Sequence, residues 1–115
     1  MVDPDVLHRL EMLARLGEPD LVSRLIDMFV HDSTARMAAL RTALNQDDRQ
    51  TLASVAHGIA GGAGSLGLKD LAVRCLDLEA CASSASLPEV QHALDEVEHA
   101  FELARAVLSV LQKRE

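Results

Sequence analysis

The sequence predicts an all-α protein: an antiparallel up-down four-helix bundle with a short additional helix at its N-terminus. Three observations carry this. The chain has no Trp, no Tyr and only two Phe, abounds in Leu and Ala, and lacks runs of β-branched residues, a balance that favours helix over sheet. Apolar residues recur at helical spacing over most of its length. Short polar segments cut that pattern into pieces, and short connections make successive helices antiparallel neighbours.

Asp3 before Pro4 marks a helix start, with Asp as cap and Pro at the first helical position, and Gly17 stops it, which gives a first helix over about 4–16. "GEPD" restarts the chain. A long pattern follows over about 19–44, with Val22, Ile26, Phe29, Met37, Leu40 and Leu44 on one stripe. "NQDD" at 45–48 is a turn and cap, and a third helix runs over about 48–66. "GLKD" at 67–70 breaks it and caps a fourth helix over about 69–84, where Leu71, Cys75, Leu78 and Ala82 align. "SSASLP" ends that helix. The last helix, over about 88–113, places Val90, Leu94, Val97, Phe101, Ala104, Leu108 and Leu111 in a single seam for bundle packing.

The chain has 115 residues, 49% of them hydrophobic and 25% charged, which fits one domain over 1–115 with a continuous core. A net charge of −7 without a basic stripe argues against nucleic acid as a partner. No apolar run approaches the ~20 residues that span a bilayer. The opening "MVDPDVLHRLE" lacks a basic region followed by an apolar one, so no membrane association and a cytoplasmic location are expected. Cys75 and Cys81 lie about 240° apart on a helix, so they neither pair within it nor share a metal on one face, and both are expected as small buried or half-buried residues.

The stretch "AHGIAGGAGSLG", residues 56–67, sets four glycines, Gly58, Gly61, Gly62 and Gly64, inside a helix. Each costs about 0.8 to 1 kcal/mol relative to Ala. On a helical wheel with His57 at the origin, Leu52, Val55, Ile59, Ala63 and Leu66 fall on the opposite side, so the core stripe points away from the imidazole. The neighbours within about 60° are Gln50, Ala53, Ser54, Ala60, Gly61 and Gly64, ground almost stripped of side chains. Glycine on a helix surface lets another backbone or a ligand come close. Here that ground surrounds a nucleophilic side chain whose type titrates near neutral pH. Gly58 and Gly62 border the core instead and suit close helix packing.

These residues resemble the histidine-containing phosphotransfer (HPt) domain, a four-helix bundle that relays phosphoryl groups between receiver domains in multistep two-component signalling. The family pattern is Ala-His-x-Leu-Lys-Gly, a small-residue run to a Gly, then Leu-x-x-x-Cys-x-x-Leu-Glu on the next helix. The match here is Ala56, His57, Ile59, Gly61, Gly64, Gly67, Leu71, Cys75, Leu78 and Glu79, without a gap. It is specific over residues 52–79 and extends more loosely to the whole chain. One position departs: the Lys that commonly follows the histidine by three residues, where it neutralises the incoming phosphoryl group, is Ala60.

The resemblance implies that His57 accepts a phosphoryl group through Nε2 from a receiver's aspartyl phosphate and passes it on, as a phosphocarrier without autonomous catalysis. The transition state is loose, so positioning and charge neutralisation carry the reaction. The implied partners are a response regulator receiver domain and a hybrid sensor histidine kinase. No cofactor or metal is expected on this domain; the receiver supplies Mg²⁺. A monomer is expected. Glu79 holds a family position near the histidine and either orients Nδ1 or is a solvated helix Glu. Lys69, at the start of the next helix, is a candidate substitute for the missing cation, and Gly61 completes the phosphoryl-site support. Ala53, Ser54, Ala60 and Gly64 form the expected docking surface. Leu21, Leu25 and Met28 either pack on the first helix or add an apolar docking patch.

Other chemistries fit less well. "EVQH" and "EVEH" in the last helix invite a di-iron reading, but such sites need the pairs on two helices facing inward, and both lie on one helix off its seam. His8 and His31 have no ligand-spaced partners. There is no Gly-x-Ser-x-Gly elbow and no phosphate-binding loop ending in Lys-Ser or Lys-Thr. A rival from another class remains: a degenerate HPt-like interaction module that docks a receiver or kinase with little transfer, suggested by Ala60.

Overall fold

The computed structural model describes His8, Met12 and residues 20–113. The short leading helix expected over 4–16 otherwise lies outside the described residues. Four helices follow one another: α1, Leu21–Asn45; α2, Arg49–Ser65; α3, Lys69–Cys81; and α4, Leu87–Lys113. The described residues contain no strand. No helix among them is long and apolar enough to cross a membrane.

The two turns that frame α2 share one geometry. At the end of α2, the Leu68 N–H donates to the Ala63 carbonyl at 2.9 Å and the Gly67 N–H to the Gly64 carbonyl at 3.1 Å. This reciprocal pair closes the helix with its turn residue in the left-handed region, and Gly67 sits there at φ 76°. At the end of α1 the Asp48 N–H donates to the Ala43 carbonyl at 2.8 Å and the Asp47 N–H to the Leu44 carbonyl at 3.0 Å. Here Asp47 takes the left-handed position at φ 52°, a conformation that Asp tolerates better than most residues. Asp48 then caps α2, its carboxylate accepting from the Thr51 N–H at 3.1 Å. Hydrogen bonding from Thr51 holds that carboxyl below its ordinary range.

Each helix packs on two neighbours in a ring: α1 on α2, α2 on α3, α3 on α4, and α4 on α1. Cross-links confirm the antiparallel sense. Gln112, near the end of α4, donates to Ser23 and Asp27 near the start of α1, while Arg41 near the end of α1 pairs with Glu98 and Asp95 earlier in α4. Arg49, at the start of α2, donates to the Ala82 and Ala85 carbonyls just past α3 and so satisfies acceptors that the helix end leaves open.

The seam expected on the last helix is buried throughout, from Val90 to Leu111, and so is the Leu71, Cys75, Leu78, Ala82 stripe. On α1 the expected stripe holds except at Phe29, which is half-buried. α3 ends at Cys81 rather than near 84, and residues 82–84 continue as turn. Burial pushes the Cys75 thiol up to about 12, and it raises that of Cys81 as well, so both are poor nucleophiles at neutral pH.

Candidate phosphoryl-acceptor site

His57 lies near the middle of α2 with its side chain 71% exposed. The helix turns its buried residues, Leu52, Ala56, Ile59, Ala60 and Ala63, toward the bundle, and the imidazole leaves on the other side. Its Nδ1 stands 3.0 Å from Oε1 of Glu79 on α3. An ionised carboxylate only accepts, so Nδ1 carries the proton in the neutral ring and Nε2 is left with its lone pair. Glu79 is itself about half as exposed as the histidine, its side chain at 35%. It therefore holds one edge of the ring without covering the other.

The ground beside the ring is open. A Cβ built on Gly61 or Gly64 meets nothing within 4 Å. Ser54 is exposed and Ala53 half-buried. The other two glycines face α1: a Cβ on Gly62 would stand 3.5 Å from the Phe29 ring, and one on Gly58 would stand 2.7 Å from Nη1 of Arg36. The four glycines thus divide into two where an added Cβ meets open space and two where it would meet side chains of α1.

Two expected site residues are placed differently. Ala60, expected on the docking surface, is 7% exposed and belongs to the core. α2 packs against α1 and against α3, so it buries a wider arc than a one-sided helix, and Ala56 and Ala60 fall within that arc. Lys69, expected near the imidazole, stands ten residues before Glu79 on α3. At 1.5 Å per residue that separates its Cα from the level of Glu79 by roughly 15 Å, more than a lysine stem spans. Lys69 does not supply a cation at His57.

Arg36 was not anticipated as a site residue. It is exposed on α1, and its guanidinium lies against the backbone of Gly58, the residue next to His57. Counting alone could have found it: residues 36 and 57 are nearly equidistant from the α1–α2 turn at Gln46–Asp47. The leftover apolar residues of α1 remain near the surface, with Met28 61% exposed. In the last helix, Glu89, His92 and His99 are exposed, and Glu96 is half-buried beside Arg74 and His92.

An antiparallel helical ring that presents one imidazole on a bare helix face, clasped at Nδ1 by a carboxylate from the next helix, defines a histidine phosphotransfer fold. The family model described as "Hpt domain" matches residues 24–107, and the chain belongs to that family. Among solved structures it is similar to histidine-containing phosphotransfer protein B (HptB) from Pseudomonas aeruginosa PAO1. That match has 30% identity and a TM-score of 0.85, and covers 99% of this chain and 96% of that one. A comparison with curated protein sequences returned no match.

Proposed function

We propose that this domain relays phosphoryl groups through His57, from a hybrid sensor kinase or one receiver aspartate to the aspartate of a response regulator. The observation that carries this reading is the asymmetry of the ring: Nδ1 engaged by Glu79 at 3.0 Å, the side chain 71% exposed, and glycines alongside. In the neutral ring the Nε2 lone pair attacks phosphorus in line, an N–P bond forms, and the P–O bond to the aspartate breaks with its electron pair passing to the departing carboxylate. The ring gains positive charge, which the Nδ1–H···Glu79 contact stabilises. The proton stays on Nδ1 throughout, so no separate base is required. Mg²⁺ belongs to the receiver's side of the encounter. The domain acts as a carrier, in the cytoplasm and as a monomer.

Ala60 favours a second reading, an interaction module that docks a receiver but transfers little. Incubation with a labelled phosphorylated receiver and Mg²⁺ separates the two. The relay reading expects acid-labile, alkali-stable label on the wild type and none on His57→Gln. Measurable receiver binding with no label on the wild type would establish the module instead.

A further inference from the structure

We propose that Arg36 is the residue that neutralises the phosphoryl group at His57, reaching the site from α1 rather than from the histidine's own helix. The inference rests on the phosphotransfer reading above. A phosphoryl group on an exposed imidazole carries anionic oxygens with no cation one turn along, because that position is the buried Ala60. The other arginines near the middle of the bundle are committed elsewhere. Arg41 bridges to Glu98 and Asp95, Arg49 holds Asp47 and two carbonyls, and Arg74 pairs with Asp70 and Glu96.

Arg36 differs. Asp32 stands four residues before it on the same helix, the usual spacing for an ion pair, yet Arg36 makes no ion pair or hydrogen bond among the described residues. Its guanidinium instead crosses to α2, with Nη1 2.7 Å and Cζ 3.4 Å from the point that a Cβ of residue 58 would occupy. Glycine at 58 is therefore what leaves the slot vacant. The Cα atoms of residues 57 and 58 are ~3.8 Å apart, so the guanidinium rests one residue from the root of the imidazole. Arg36 approaches from the α1 flank and Glu79 from the α3 flank. His57 thus has a carboxylate at Nδ1 from its α3 side and, one residue along the backbone on its α1 side, a guanidinium that makes no ion pair among the described residues. A guanidinium suits that task, since its planar fork matches two phosphoryl oxygens at once. In the transfer step Arg36 exchanges no proton: it pairs with oxygens that keep their charge while the N–P bond forms and the aspartyl P–O bond breaks.

The test is single-turnover transfer from a labelled phosphorylated receiver to wild type, Arg36→Ala, Arg36→Lys and Gly58→Ala, with receiver affinity measured separately on the unphosphorylated receiver. We expect Arg36→Ala to slow transfer about tenfold, with affinity within about threefold of wild type, and Arg36→Lys, which keeps the charge but not the fork, to recover only part of the rate. Gly58→Ala, whose methyl takes the slot while Arg36 remains, should slow transfer in the same direction. Equal rates for wild type and Arg36→Ala overturn the inference and leave the relay intact. A rate loss matched by an equal loss of affinity makes Arg36 a docking residue and overturns it too. Absence of label on the wild type removes the relay reading and this inference together.

Discussion

At His57 the two ring nitrogens have different surroundings, and in the proposed relay that difference selects the nitrogen that takes the phosphoryl group. Nδ1 faces Glu79 at 3.0 Å, and the side chain as a whole is 71% exposed. Because both partners are partly exposed, water screens the pair, and exposed pairs contribute roughly 0.2 to 1 kcal/mol. Glu79→Ala should therefore slow phosphoryl transfer only about 1.4- to fivefold, with Glu79→Gln in between, as measured in single-turnover reactions at saturating receiver. An unchanged rate in Glu79→Ala would make the carboxylate a solvated helix residue. Much of this geometry was legible in the sequence. The wheel placed His57 opposite Leu52, Val55, Ile59, Ala63 and Leu66, and all of these are buried except Val55, which is half-buried. The burial of Ala60 was not legible, because a single-helix wheel cannot tell whether one neighbour or two press on the helix. Lys69 failed for a related reason: nearness to a turn says nothing about height along the bundle.

At the scale of the element, α2 gives up intrinsic helix stability to keep its outer face bare. Gly61 and Gly64 lie within the helix, and an added Cβ there meets nothing. Gly61→Ala and Gly64→Ala should each stabilise the protein by about 0.4 to 1 kcal/mol, read by denaturant unfolding. Leu at the same positions should keep the fold and block receiver binding, which ties the cost of the glycines to docking. Gly67 behaves oppositely: with φ at 76°, Gly67→Ala should destabilise by about 1 to 2 kcal/mol. A loss of stability in Gly61→Ala would contradict this division. The helix boundaries followed from caps and turn residues, with the α3 end misplaced because the helix gives way to turn at Ala82, ahead of the "SSASLP" stop signal. Register was also accessible. Positions equidistant from each turn face each other, which pairs 57 with 79 across Gly67–Leu68 and 57 with 36 across Gln46–Asp47. Only the first of these pairs is marked by the family resemblance, and Arg36 emerges from the packing of α1 on α2.

Across the whole molecule, stability and chemistry occupy different sides of the same helices. The interior is apolar and closed, with Leu40, Leu52, Leu78, Leu94 and Leu108 at 0% exposure. Leu94→Ala should cost about 2 to 5 kcal/mol in denaturant unfolding, whereas His57→Gln, on the exposed face, should leave the unfolding midpoint within experimental error. A Leu94→Ala variant as stable as wild type would contradict the packing described above. The composition and the last-helix seam made this core readable in advance, because a bundle needs little more than correct spacing of apolar residues. The account as a whole depends on where a phosphoryl group lands. Phosphorus NMR of the protein after transfer from a phosphorylated receiver should show a single phosphohistidine signal of the Nε2 type that disappears in His57→Gln. Phosphate on Nδ1, on another side chain, or nowhere on the chain would contradict it.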